Sequence, residues 1–142
     1  MIRTNRKVNK FKQNDYEDLK NSFEIAAREK GAHIYPLDIK KIRPKQSIRL
    51  KCLVPLCEYY DVCKTCPPNI PGVSEFKEAL LSYSMAFLVV LRKKIKNIDD
   101  FRKDFSAELK LAQIVSDLEL SAYQQGFYQA LGLNVGGGKL DR

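Results

Sequence analysis

All the cysteines of this 142-residue chain lie within one short segment that ends in two prolines. They are spaced C-x4-C-x5-C-x2-C and comprise Cys52, Cys57, Cys63 and Cys66. Thiolate is a soft metal ligand, and four thiolates on one short segment suit either zinc or an iron–sulfur cluster. We therefore expect residues 52–68 to form a metal-binding loop in which these four cysteines are the ligands.

Other interpretations of the cysteines fit the sequence less well. Isolated cysteines are often buried as small apolar residues, but separate core positions do not explain their clustering in one polar, turn-rich segment. Disulfides are rare in cytosolic proteins, and the basic N-terminus has no apolar stretch typical of a secretory signal. Zinc sites usually pair two C-x2-C units, whereas only Cys63 and Cys66 form one here. The uneven spacing and the following proline favour an iron–sulfur cluster, [4Fe–4S] in our interpretation, with zinc as the alternative.

The overall composition is that of a globular protein, with 44% hydrophobic and 30% charged residues. A chain of this length corresponds to a single domain, here residues 1–142, and can bury a core. The net charge of +8 predicts attraction to anions without specifying a fold. The longest apolar run, Met85–Leu91, is too short to span a membrane. We expect a cytoplasmic protein without a membrane partner.

Helices and strands must position the cysteine loop. Apolar residues recur at helical spacing in 15–30, 75–83 and 107–131, and Gly126 falls inside the last of these predicted helices. Met85–Leu91 is apolar on both faces and predicts a central, covered strand, while 32–35, 37–42 and 47–50 predict shorter strands. The expected fold is α/β, with a small mixed sheet of three or more strands and packed helices. Residues 1–12 contain five basic residues and no acid, which predicts a flexible basic arm.

Few other residues near the cysteines could take part in chemistry. His33, the only histidine, lies in a predicted strand far along the sequence from the cysteines, where a structural role is more typical than metal ligation. Glu58 and Asp61 lie within the loop, where carboxylates are more often solvated than catalytic. Because no acid–base pair accompanies the thiols, the sequence indicates no catalytic residue.

The order of these features resembles that of a known family, the predicted metal-binding proteins designated domain of unknown function 2284. The similar stretches are Cys52-x4-Cys57-x2-Tyr60, Cys66-Pro67-Pro68-Asn69 and Leu118-Glu119-x3-Tyr123-x2-Gly126-x3-Ala130. The resemblance implies a metal site, and its pattern matches Cys52, Cys57 and Cys66 more closely than Cys63. Family members typically continue into a second cysteine-rich segment, which this sequence lacks. We therefore expect either an incomplete site or a fragment of a longer protein.

The leading functional hypothesis is a small iron–sulfur protein that passes electrons to a protein redox partner or assists a larger redox system. The alternative is a zinc-stabilised nucleic-acid-binding module. Its electrostatic footprint would comprise Lys40, Lys41, Arg43, Lys45, Arg49 and Lys51. Because basic residues are spread through the chain, we do not expect nucleic acid to be the partner. A third interpretation, an enzyme with a nucleophilic cysteine, would require the fold to bring His33 to the loop.

Overall fold

A computed structural model of the chain describes residues 11–97 and 104–134. The elements in chain order are helix α1 (Gln13–Glu29), strand β1 (Ala32–Leu37), helix α2 (Gln46–Arg49), helix α3 (Val73–Leu80), strand β2 (Ala86–Leu91) and helix α4 (Ser106–Gln124). Single 3₁₀ turns at Ile39–Lys41 and Leu50–Cys52 flank α2. The predicted α/β class is confirmed, since four helices accompany a small sheet among the described residues.

Helix α1 forms where the sequence predicts a helix with one apolar face. Leu19, Phe23 and Ala27 follow one another at i, i+4 spacing, and all three are buried. The helix starts slightly before the predicted boundary, with the backbone N–H of Lys12 donating to Asp15 Oδ2 at 2.6 Å. The helix is therefore held to the core by a narrow stripe and is solvated elsewhere.

The sheet consists of β1 and β2 paired antiparallel, with Ala32 opposite Leu91 and Leu37 opposite Ala86. Alternate side chains face opposite sides of a strand, so one face of this pair packs against the helices. Its core-side members are Ala32, Ile34, Phe87, Val89 and Leu91. The outer face carries exposed side chains, including Tyr35 and Leu88, which lie opposite each other.

The prediction of a central, covered strand within a sheet of three or more strands was wrong. Within residues 11–97 and 104–134 the sheet has two strands, and Leu88 on the outer face of β2 is 52% exposed. The segment predicted as strand 37–42 forms a 3₁₀ turn, because Asp38 accepts a hydrogen bond from the backbone N–H of Lys40 at 2.9 Å. The segment predicted as strand 47–50 lies within α2 and the 3₁₀ turn that follows it.

The core lies between the two long helices and the inner face of the sheet. Helix α4 contributes Ile114, Leu118 and Ala122, each at most 5% exposed. Helix α1 packs against the same face of the sheet, where the ring of Phe23 contacts that of Phe87 at a centroid distance of 5.6 Å. Apolar burial of this kind is the main stabilising contribution to a small domain.

Helix α4 ends earlier than predicted, and Gly126 is the reason. The sequence predicted a helix to 131 with this glycine inside it, whereas its φ of +95° places it in the left-handed region just beyond the helix. The N–H groups of Gly126 and Phe127 donate to the carbonyls of Tyr123 and Ala122 at 3.0 and 2.9 Å. This pair of bonds is the Schellman arrangement, which ends a helix at a residue free of Cβ strain.

Residues 1–10 of the predicted basic arm lie outside the described residues. Phe11, just after them, stacks on Phe127 with a centroid distance of 4.0 Å and an interplanar angle of 9°. This contact joins the start of α1 to the segment that follows α4. Among the described helices, no stretch is both long and apolar enough to cross a membrane.

Candidate metal centre

The first two cysteines lie on a turn that directly follows helical structure. The 3₁₀ turn after α2 ends at Cys52, and the isolated bridge between Leu53 and Leu56 then reverses the chain. The N–H of Cys57 donates to the carbonyl of Cys52 at 3.0 Å. The backbones of these two cysteines are therefore brought together by a closed turn.

The last two cysteines form a second compact turn. The N–H of Cys66 donates to the carbonyl of Cys63 at 3.0 Å, and the Nδ2 group of Asn69 donates to the same carbonyl at 3.3 Å. Cys63 is only 7% exposed, and its Sγ lies 3.1 Å from Oγ1 of Thr65. The C-x2-C unit is thus held by its own backbone, by a hydroxyl and by an amide.

Two tyrosines connect these turns through their backbone. The N–H of Tyr60 donates to the carbonyl of Cys57 at 3.0 Å, and the carbonyl of Tyr59 accepts from the N–H of Cys63 at 3.1 Å. Both tyrosines are half-buried. The backbone therefore runs from one cysteine pair to the other through consecutive hydrogen-bonded turns.

The loop is closed on itself at two further points. The N–H of Asp61, whose φ of +60° is tolerated by aspartate, donates to the carbonyl of the buried Pro67 at 2.9 Å. Nη1 of Arg49, in α2, donates to the carbonyl of Pro71 at 2.9 Å, immediately before α3. Arg49 therefore ties the chain entering the cysteine loop to the chain leaving it.

The electrostatics of Cys66 show that the cysteines influence one another. Burial raises the pKa of the Cys66 thiol, and the charge of Cys63 and a hydrogen bond with it raise this pKa further. The charges of Cys57 and Cys52 act in the same direction. Charge effects of this kind fall off with distance, so the other three thiols lie in the neighbourhood of Cys66.

The thiols do not converge on a single point. Within the part of the chain that the structure describes, no group of three or more histidine, cysteine or carboxylate side chains is arranged to hold a metal ion. The donor set nevertheless fits a metal chemically, because all four cysteines are reduced thiols and thiolates bind zinc and iron strongly. The fit therefore rests on donor chemistry and on the hydrogen-bonded turns that place the four cysteines on one loop.

The remaining candidates from the sequence lie elsewhere or in solvent. His33 is exposed on the outer face of the sheet, opposite Val90, and belongs to no such group of potential ligands among the described residues. The side chains of Glu58 and Asp61 are also exposed.

Sequence reasoning missed three residues that support the loop, namely Arg49, Thr65 and Asn69. Asn69 entered only through the stretch Cys66-Pro67-Pro68-Asn69 of the family resemblance, although asparagine side chains in turns commonly bond nearby backbone. Thr65 lies inside the C-x2-C unit, where a hydroxyl can reach a neighbouring sulfur. Only the fold could show the bond from Arg49, because its acceptor, the carbonyl of Pro71, lies beyond the whole cysteine segment.

Comparison with known proteins gives one match. The family described as predicted metal-binding protein (DUF2284) matches residues 35–140, a range that contains the whole cysteine loop and helices α2 to α4. No curated protein and no solved structure matches the chain.

Proposed function

The chain belongs to the DUF2284 family of predicted metal-binding proteins, and from this premise we propose a specific centre and role. The centre is a [4Fe–4S] cluster held by the thiolates of Cys52, Cys57, Cys63 and Cys66. Bound there, such a cluster supplies one-electron transfer. The role proposed is to exchange electrons with a protein redox partner.

The observation that carries this proposal is the compact, hydrogen-bonded loop that contains all four cysteines. The bonds from the N–H of Cys57 to the carbonyl of Cys52 and from the N–H of Cys66 to the carbonyl of Cys63 close the two turns that carry the cysteine pairs. In this loop each of the other three acts on the pKa of Cys66, and Cys63 acts most strongly among them. This supports all four cysteines as ligands, including Cys63.

The spacing of the thiols supports a cluster over a single zinc ion. Zinc requires four ligands at about 2.3 Å from one point, so its sulfurs must converge closely. Zinc sites usually pair two C-x2-C units, whereas only Cys63 and Cys66 form such a unit here. A cluster binds each cysteine through a different iron and therefore accepts a wider set of sulfurs.

The position of the loop supports electron exchange with another protein. Cys52, Cys57 and Cys66 are half-buried rather than enclosed, so a bound centre would lie near the surface. The same loop exposes large apolar side chains, with Val54 and Val62 each 77% accessible to solvent. Exposed apolar side chains are typical of surfaces that bind partners.

The test is a visible spectrum of the chain purified without oxygen, recorded before and after addition of dithionite. We expect a broad visible absorption that bleaches on reduction, because the iron of a thiolate-bound cluster accepts an electron. Cys66→Ser should abolish this absorption, and Cys63→Ser should weaken it severely. Tyr60→Phe is the matched control, because it changes a side chain of the loop without removing a thiol.

A colourless protein that retains stoichiometric zinc would overturn the cluster and favour the zinc-stabilised alternative. A reducible chromophore that survives serine substitution at Cys66 would place the centre elsewhere. Loss of the chromophore in the Tyr60→Phe control as well would mean that the cysteine variants fail through folding.

A further inference from the structure

A second feature of the surface lies outside the cysteine loop. A cleft of about 690 Å³ opens between the segment after β1 and the last turn of α3. One wall is formed by residues 37–40 and 42–45, and the other by Lys77, Leu80, Leu81, Tyr83 and Ser84. This volume is in the range of small-molecule sites in proteins, about 300–1,000 Å³.

The cleft has an apolar floor. Leu37, Ile39 and Ile42 line one wall, while Leu80 and Tyr83 line the other, and all five are half-buried. Side chains left in this state lose further contact with water when a ligand covers them, which favours binding of an apolar group. The floor therefore suits a ligand with an apolar body.

The rim of the cleft is strongly basic. Lys40, Arg43, Lys45 and Lys77 line it and are exposed, and none of them takes part in an ion pair within the described residues. The single acid of the lining, Asp38, directs Oδ1 to the backbone N–H of the 3₁₀ turn. Four cations thus surround the floor, and their charge is offset by one carboxylate that already has a donor.

We propose that this cleft binds a small organic anion that combines an apolar body with a phosphate or carboxylate group. The floor would receive the body, and the lysines and arginine of the rim would donate charge-assisted hydrogen bonds to the anion. A neutral or cationic molecule would leave the positive charges of the rim without an anionic partner. The proposal does not depend on the metal centre, because no cysteine lines the cleft.

The test is an NMR titration of the isotope-labelled chain with n-octyl phosphate as the probe. Binding is monitored through the chemical shifts of the backbone amides. We expect saturable binding with shifts concentrated in residues 37–45 and 77–84. Octyl glucoside has the same tail without charge, and inorganic phosphate has the charge without a tail. Each should bind about tenfold more weakly than octyl phosphate.

A matched pair of double variants tests the rim. Replacing Lys40 and Arg43 by glutamine should weaken octyl phosphate binding about tenfold, because both charged donors line the cleft. Replacing Arg92 and Lys94 by glutamine removes the same charge from exposed positions outside the cleft and should change affinity less than about twofold. Retained amide dispersion in both variants shows that the fold is intact.

Several outcomes would overturn the proposal. Equal weakening by the two double variants would mean that only net charge attracts the probe. Equal binding of octyl glucoside would mean that the rim plays no part. Binding to vesicles of phosphatidylglycerol without binding to monomeric octyl phosphate would identify a lipid surface as the ligand. Shifts confined to the cysteine loop would place the binding site on its apolar side chains instead.

Discussion

Replacing Gly126 by alanine should lower the free energy of unfolding by about 1 kcal/mol. The φ of this residue is +95°, a conformation that strains any residue with a Cβ. A Cβ built there would lie 3.8 Å from Cε1 of Phe11, which is ordinary contact, so no clash adds to the backbone strain. The strain of about 1–2 kcal/mol is partly offset by about 0.4–1 kcal/mol from the stiffer unfolded chain.

Other substitutions at this position should destabilise the protein in the order of their backbone strain. Asparagine tolerates the left-handed region and should destabilise less than alanine, while valine, which is β-branched, should destabilise more. Urea unfolding followed by far-UV circular dichroism measures each value, with the denaturant slope expected to stay constant. Gly31→Ala should behave similarly, because Gly31 ends α1 with φ +78° and has only Lys110 Nζ, at 4.0 Å, near a built Cβ.

Gln124→Ala is the control for this series, since it changes an exposed residue at the end of the same helix and should alter stability by less than about 0.5 kcal/mol. An unchanged or raised stability of Gly126→Ala would refute the helix-ending role of this glycine. A loss above about 3 kcal/mol would mean that packing, rather than backbone conformation, dominates at this position.

Three further predictions concern the cysteine loop, the core and the dependence of stability on pH. Arg49→Met should weaken Co²⁺ binding by the metal-free chain about fivefold in a chelator competition, because it removes the bond that closes the cysteine loop, a contribution of about 1 kcal/mol. Ile114→Ala should lower the free energy of unfolding by about 3 kcal/mol in urea, because Ile114 is 2% exposed. The ion pair with Lys30 and a hydrogen bond from Gln113 lower the pKa of Asp117. The stabilisation from this carboxylate is therefore fully present above its unfolded pKa of about 3.9 and is lost as pH falls through its lower folded value. Asp117→Asn should flatten the decline of stability below about pH 4.

Each of these predictions has its own control. Lys51→Met removes the same charge as Arg49→Met from an exposed position and should leave Co²⁺ affinity unchanged; equal weakening would exclude the loop-closing role of Arg49. Ile48 is 60% exposed, so Ile48→Ala should affect stability far less than Ile114→Ala. A pH profile of Asp117→Asn that matches the unmodified chain would show that the ion pair does not contribute to folding.

Local sequence patterns predicted the elements that bury a continuous apolar face. The stripe of α1, with Leu19, Phe23 and Ala27, identified its helix, and the apolar run Met85–Leu91 identified β2. The run could not reveal how many strands would pair with it, because hydrophobicity on both faces is equally compatible with one partner and an uncovered outer face. The exposure of Leu88 is a property of what packs nearby, which no local pattern contains.

The error at Gly126 has a different origin. Its apolar neighbours continue at helical spacing, so periodicity predicted an unbroken helix, yet a glycine followed by an aromatic residue is also typical of a helix end. The stacking of Phe127 on Phe11 favours the second solution, and it joins residues from opposite ends of the described chain. For the cysteines, spacing alone predicted the loop, whereas the hydrogen-bonded turns that shape it are visible only in the fold.

Iron, acid-labile sulfide and zinc should be quantified per chain in protein purified without oxygen, alongside Cys66→Ser treated identically. Four thiolates holding a [4Fe–4S] cluster predict about four irons and about four sulfides per chain, little zinc, and loss of both iron and sulfide in the variant. About one zinc per chain with no sulfide, or iron that persists in Cys66→Ser, would show that these cysteines do not hold the proposed cluster.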